Sequence, residues 1–303
     1  MSKPQLRAYR FKAMGSPCEI MAYCSSERVF QLAINEIDRL EVKYSRFRND
    51  SVTTRINRNS SRRPIALDDE TLQLLHYADE AYKVSDGLFD ITSGVLRRAW
   101  DFKSGRIPTE QELSKALACI GWDKVVWQTG EISLRDGMEI DFGGYVKEYA
   151  ADKAARVLLD NGIRSGVVDL GGDIVVLGPH PSGKPWKIGV RNPRSPESAI
   201  AYIQVTRGAV ATSGDYERYM VVDNVRYCHI LNPKTGMPAT DLASVSVLTD
   251  DCIVAGSLAT ITMLKGLDGI SWLAQQGVEH YCISQDSDCI SSGVLPSHRQ
   301  VAL

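Results

Sequence analysis

Residues 139–162 read EIDFGGYVKEYAADKAARVLLDNG, and the way this stretch divides decides the fold. Residues 138–142 predict a short strand, Gly143-Gly144 a tight turn, and residues 145–159 a helix. Val146, Ala150, Ala154, Val157 and Leu158 recur at helical intervals, so one helix face is apolar, and Asn161-Gly162 supplies the stop. A glycine pair lets backbone approach a ligand closely, and the amides of a helix's first turn carry a partial positive charge that suits phosphate. Lys147 adds a full charge at that point. On this stretch alone the plainer reading is favoured, a tight turn and a solvated lysine, because short glycine motifs recur by chance.

Outward from there the chain mixes helices with hairpins. A helix over 26–44 places Val29, Ala33, Ile37, Leu40 and Tyr44 on one face. A second, over 69–85, stops at Asp86-Gly87, and Thr109 with Glu112 forms a capping box before Leu113, Ala116, Leu117 and Ile120. Cys18, Ile20, Ala22 and Cys24 alternate as in a half-buried strand, although Met21 and Tyr23 blur the pattern. Residues 124–128 and 131–134 flank Thr129-Gly130 as a hairpin, and further strands are predicted at 167–170, 174–177, 186–190, 200–205, 220–222 and 244–248. Regular βαβ alternation is absent. The predicted class is α+β, with mixed, largely antiparallel sheets, and residues 1–303 form a single unit because composition marks no boundary.

Composition narrows the function classes. With 44% hydrophobic residues in 303, the chain can bury a sizeable core. A net charge of -2 gives no overall support for a nucleic-acid groove or an anionic-membrane patch. The uncharged run 252–264 is too short to span a bilayer, and the start, MSKPQLRAYRFK, lacks an apolar signal-type segment, so the expected location is cytoplasmic. Seven cysteines without a CxxC pair read as reduced thiols.

A second glycine pair changes the balance. Residues 167–178, VVDLGGDIVVLG, are two strand halves interrupted by Gly171-Gly172-Asp173, where close approach by a ligand or by another backbone is expected. Residues 211–216, ATSGDY, offer hydroxyls and amides, and CHILNPKTG at 228–236 sets His229 at a strand end before an Asn232-Pro233 turn. A lone histidine is more often a hydrogen-bonded structural residue. Several such loops in one chain describe a nucleotide-sized pocket.

On these residues the chain resembles the ApbE family, the FAD:protein FMN transferases. The resemblance runs from about residue 10 to 266. It is carried by Met14-Gly15-Ser16, by Tyr44-Ser45-Arg46-Phe47 with Asn57, and by residues 87–92, GLFDIT, with Trp100. Residues 141–152, 169–178, 212–216 and 229–236 continue it, and Leu258-Ala259-Thr260 with Gly266 completes it. Each motif is modest alone; together and in order they are specific.

The resemblance implies an ApbE-like fold related to the T-fold. It also implies FAD held in a cleft and Mg2+-dependent transfer of FMN to a threonine or serine hydroxyl of an acceptor flavoprotein, with release of AMP. By motif position, Met14, Phe47, Phe89, Asp90, Thr92, Asp141, Lys147 and Ile230 fall where the family contacts FAD, with Gly171 and Gly172 beside them. His229 and Lys147 take catalytic roles, and the Gly144 carbonyl and the Thr260 hydroxyl meet the metal. Two positions depart from the pattern. Gly256 stands where the family places a metal-binding aspartate four residues before Thr260, and Glu148 stands where it favours glycine. Ser257 projects about 100° from the required face and does not replace the aspartate. The expectation is a weakened Mg2+ site; the alternatives are an FAD-binding protein that has lost transfer, in which Gly256→Asp restores it, or a hydrolase of FAD. His76, His180 and His298 show no zinc spacing, and Trp100, Trp122 and Trp127 read as packing residues.

Overall fold

The computed structural model describes residues 5–127, 130–285 and 289–292; His298 of the sequence reading lies outside them. The chain opens with a hairpin of β1 (Gln5–Ala13) and β2 (Ser16–Cys24). A helical excursion follows: α1 (Arg28–Tyr44), α2 (Val52–Asn59), β3 (Ile65–Ala66), α3 (Asp69–Val84), α4 (Glu110–Leu117), β4 (Glu131–Ile132) and α5 (Val146–Asp160). Then come β5 (Gly166–Leu170), β6 (Asp173–Gly178), a ribbon of β7 (Trp186–Asn192) and β8 (Ser195–Val205), and β9 (Gly208–Gly214). A small hairpin, β10 (Tyr219–Val222) and β11 (Val225–Cys228), leads to β12 (Leu242–Thr249), α6 (Cys252–Lys265), α7 (Leu267–Gln275), β13 (Glu279–Ser284) and β14 (Cys289–Ser292).

Eight of these strands form one antiparallel sheet in the order β1-β2-β5-β6-β9-β12-β13-β14, so each neighbour is the next main-sheet strand along the chain. Helices α1, α5 and α6 lie over one face, and the β7–β8 ribbon lies over the other. Alternation in the strands follows from this sandwiching. Val168, Leu170, Val175, Leu177, Ala209, Ala211, Val245 and Val247 point into the helical core, whereas Val167, Val176 and Val210 meet Ile188, Val190, Ile203 and Val205 of the ribbon. The blurred pattern of β2 has the same cause: Met21 packs into the ribbon cluster and Tyr23 meets His180 and Trp186.

Two local expectations are corrected. Residues 138–142 are not a strand. Asn57 brackets Ile140, donating to its carbonyl at 2.9 Å and accepting from its amide at 2.8 Å, and the Asp141 amide donates to the Ile91 carbonyl at 2.8 Å. A side-chain amide and a loop thus satisfy groups that a ladder would otherwise hold. Residues 142–144 form a single 3-10 turn capped by Asp141, whose carboxylate accepts from the Gly143 amide at 2.9 Å, and the helix begins at Val146. The second correction concerns the 124–128/131–134 hairpin. Glu131–Ile132 pair with Ile65–Ala66, residues 122–124 are a 3-10 turn, and Val126 makes only an isolated bridge to Ser133; Gln128 and Thr129 lie outside the described residues. Among the described residues no helix is long and apolar enough to cross a membrane.

Candidate functional site at two hairpin tips and a helix start

The site begins with two hairpin tips. Met14 (φ +50°) and Gly15 (φ +75°) join β1 to β2, and Gly171 (φ +68°) and Gly172 (φ +96°) join β5 to β6. Positive φ at both central residues is the demand of a two-residue hairpin turn whose twist matches its strands. The β2–β5 register, Cys18 opposite Leu170, sets the tips side by side, and a Cβ on Gly171 would lie only 2.6 Å from Ser16 Cβ. Close approach at the second glycine pair is therefore, first of all, approach by Ser16.

Under these tips runs the first turn of α5. Lys147 donates to the Leu170 carbonyl at 3.2 Å and forms an ion pair with Asp173, whose residue surface is 3% exposed. Burial disfavours the ammonium, but the charges of Asp173 and Glu148 outweigh it, so its pKa is raised and Lys147 stays protonated. The plainer expectation of a solvated lysine does not hold.

Arg218 links His229 to the same place. Its guanidinium comes within 3.6 Å of where a Cβ on Gly15 would sit, and its carbonyl lies 2.9 Å from the His229 amide and 3.1 Å from Nδ1. A carbonyl only accepts, so Nδ1 carries the proton and Nε2 of the neutral ring is left as an acceptor. Desolvation by the surrounding walls lowers the His229 pKa, and the charges of Arg218 and Lys147 act in the same direction. The imidazole is neutral at pH 7.

A second wall is built around Asp141, which pairs with Arg46. The Arg46 guanidinium lies 4.9 Å from the centroid of the Phe47 ring, which is 83% exposed. A Cβ on Gly94 would reach within 2.8 Å of Asp141 Cβ, so this loop also closes on the turn at 142–144. Gly144 has open space beside it, with nothing within 4 Å of an added Cβ. Asp90 accepts from the Thr92 amide at 2.7 Å, from the Thr92 hydroxyl at 2.6 Å and from the Trp122 amide at 3.0 Å, and Thr92 Oγ1 accepts from Gly121 at 2.9 Å. These two side chains fasten one loop to another. Asp90 also borders a cleft of 360 Å³ with Tyr82, Gly87, Gly121 and Lys234. Phe89 and Ile230 are buried in the core, Phe89 edge-on to Tyr145 at 5.9 Å.

The third wall is α6. Asp152 of α5 accepts from the amides of Cys252 at 2.8 Å and Ile253 at 3.0 Å, fixing the start of α6 against α5. Thr260 shares a hydrogen bond of 2.9 Å with the Ser213 hydroxyl, and Gly256, one turn earlier, faces Glu148. Among the described residues no group of three or more His, Cys, Asp or Glu gathers into a metal cage. The donors present, the Glu148 carboxylate with a solvent-closed and unpartnered Oε2 and the Thr260 hydroxyl, are hard oxygens suited to a magnesium-type ion that keeps waters and phosphates as its other ligands. Arg218 has no counterpart in the sequence reading, and Ser213 stands in the hydroxyl-bearing turn at 211–216. Arg46 lies inside a quoted motif, whereas nothing local marks Arg218. A separate cavity of 540 Å³, bordered by Arg156, Arg164 and Arg207, sits at the far end of α5.

Two hairpin tips, a helix start and the half-buried Lys147 ammonium thus meet at one place, an arrangement whose chemistry suits a phosphate group. Comparison with known proteins makes the assignment particular. Residues 14–283 match the model of the ApbE family, and the chain belongs to that family. It is 34% identical over 243 residues to an FAD:protein FMN transferase of Vibrio cholerae, covering 76% of this chain and 72% of that protein. A second FAD:protein FMN transferase, from Klebsiella pneumoniae, is 29% identical over 305 residues, covering 96% and 93%. The crystal structure of the ApbE protein from Thermotoga maritima is similar with a TM-score of 0.87 and 32% identity, covering 95% of this chain and 97% of that one. The flavin transferase ApbE from Vibrio cholerae gives 0.83 and 25%, covering 95% and 98%.

Proposed function

We propose that this chain is an FAD:protein FMN transferase. It moves FMN from FAD to a threonine or serine hydroxyl of an acceptor flavoprotein and releases AMP. The observation that carries the reading is the meeting of the Met14-Gly15 and Gly171-Gly172 tips over the Lys147 ammonium. In the reaction the acceptor oxygen bonds to the FMN-side phosphorus, the bond to the AMP phosphate oxygen breaks, and the hydroxyl proton leaves. Positioning and charge neutralisation are most of such catalysis.

Lys147 offers the diphosphate a fixed positive charge, and the amide of exposed Gly144 offers a hydrogen bond. His229 takes the hydroxyl proton in this reading, which its neutral ring with Nε2 unprotonated supports. Phe47 presents an exposed aromatic face for the flavin. Met14 and Asp141 shape the two ends of the recess, Asp141 by holding Arg46 and the 142–144 turn. Mg2+, when bound, would neutralise phosphate charge; the Thr260 hydroxyl and the Gly144 carbonyl are groups that would hold it. One catalytic unit spanning 1–303 is supported by the single sheet that runs from β1 to β14. A cytoplasmic setting is supported by six free cysteines at described positions.

The test is intact-mass spectrometry of a flavoprotein acceptor incubated with the chain, FAD and Mg2+. An FMN phosphoester on a Thr or Ser with stoichiometric AMP is expected. Free FMN and AMP with an unmodified acceptor would make the protein a hydrolase instead.

A further inference from the structure

The space beside Gly256 is filled. A Cβ at position 256 would lie 2.7 Å from Glu148 Cγ, 3.1 Å from its Cδ and 3.0 Å from its Oε1. The Glu148 carboxyl thus occupies the place where a side chain of residue 256 would begin, one helical turn before Thr260 and on the same face. Its Oε2 is closed to solvent and has no hydrogen-bond partner. Asp173 is buried nearby and is paired with Lys147. Asp173 is matched by the Lys147 ammonium, so the Glu148 carboxyl has no cation of its own where water is largely excluded, a place for a proton in the metal-free protein and for a cation when one binds.

We propose that Glu148 is the anionic metal ligand of this site, reaching from α5 into the space that Gly256 leaves on α6. The inference rests on the transferase reading and deepens it. A magnesium-type ion needs few protein carboxylates when substrate phosphates and waters complete its octahedron, so Glu148 with the Thr260 hydroxyl suffices. The two unusual positions are then one exchange. Glutamate at 148 needs glycine at 256, because even an alanine Cβ there meets the Glu148 stem. Gly256→Asp alone therefore displaces Glu148 rather than adding a ligand, and it does not improve the site.

Mn2+ serves as the probe, with bound ion measured by electron paramagnetic resonance in the presence of FAD, and FAD binding measured on the same samples by calorimetry. Wild-type protein is expected to bind Mn2+, and the near-isosteric Glu148→Gln to weaken it about tenfold or more, a change of about 1.4 kcal/mol. Gly256→Asp is expected to bind Mn2+ no better than wild type. The exchanged pair Glu148→Gly with Gly256→Asp is expected to return to within about threefold of wild type. Mn2+ affinity unchanged in Glu148→Gln, in protein with an unaltered melting temperature, would overturn the assignment. FAD-bound wild type that takes up no Mn2+ would also overturn it, leaving a proton shared between Glu148 and Asp173. Unchanged Mn2+ affinity in Glu148→Gln leaves the transferase reading standing, whereas absence of FAD binding by wild type would strike that reading itself.

Discussion

Replacing Lys147 by alanine removes the ammonium that pairs with Asp173 and leaves that carboxylate, 3% exposed, beside Glu148 without it. Removing one partner of a buried pair costs about 3–5 kcal/mol, because the other charge stays desolvated. The lower end applies here, since the Lys147 side chain keeps 25% of its surface exposed. For a chain of 303 residues about 3 kcal/mol corresponds to a fall in Tm of roughly 5 °C. The Lys147 pKa is raised on folding, so its contribution is complete below the unfolded pKa of about 10.4 and is lost only as pH rises through the folded value. Urea unfolding at pH 8 therefore reads the whole effect. Lys147→Ala with Asp173→Asn removes the orphaned charge and is expected to recover most of the loss, which separates charge from packing. FAD affinity should fall about 10- to 100-fold, the weight of a charge-assisted hydrogen bond to phosphate. A Lys147→Ala variant within about 1 kcal/mol of wild type, with no coupling to Asp173→Asn, would refute the reasoning.

Three further outcomes follow from the same geometry. Phe47→Ala changes stability by less than about 0.5 kcal/mol because the ring is 83% exposed, yet calorimetry should show FAD affinity falling roughly threefold to tenfold; unchanged affinity removes Phe47 from the site. Gly171→Ala, at φ +68° and 2.6 Å from Ser16 Cβ, should cost on the order of 1–3 kcal/mol in urea unfolding and more than Gly172→Ala, which meets nothing within 4 Å; the reverse order would contradict the tip packing. Burial pushes the Asp152 carboxyl up to about 6 against the pull of the Cys252 and Ile253 amides. A raised folded pKa means stability falls as pH rises from about 4 to 6, by at most about 3 kcal/mol. Asp152→Asn should flatten that slope, and parallel slopes for the two proteins would refute it.

The periodic parts of the fold were legible. The apolar face of α5 and the strand halves around Gly171-Gly172 stand where residue spacing put them, because hydrophobic periodicity records which face is buried. What failed depended on partners distant in sequence. Residues 138–142 carry strand-like residues, but Asn57 takes the backbone of Ile140, and no local signal announces a side chain 83 residues away. Met21 and Tyr23 looked like noise in an amphipathic strand until the β7–β8 ribbon covered the second face of the sheet. At the site, the glycine pairs and Lys147 could be named from residue type alone. The relation between Glu148 and Gly256 could not. Each looked like a separate loss, and only packing of α5 on α6 shows that one fills the space beside the other.

A crystal structure of the chain with FAD tests the central claim most directly. The flavin diphosphate is expected within hydrogen-bonding distance of Lys147 Nζ and the Gly144 amide, under the Met14-Gly15 and Gly171-Gly172 tips. A diphosphate bound elsewhere, for instance at the Arg156–Arg164 cavity with Lys147 still held by Asp173, would contradict it.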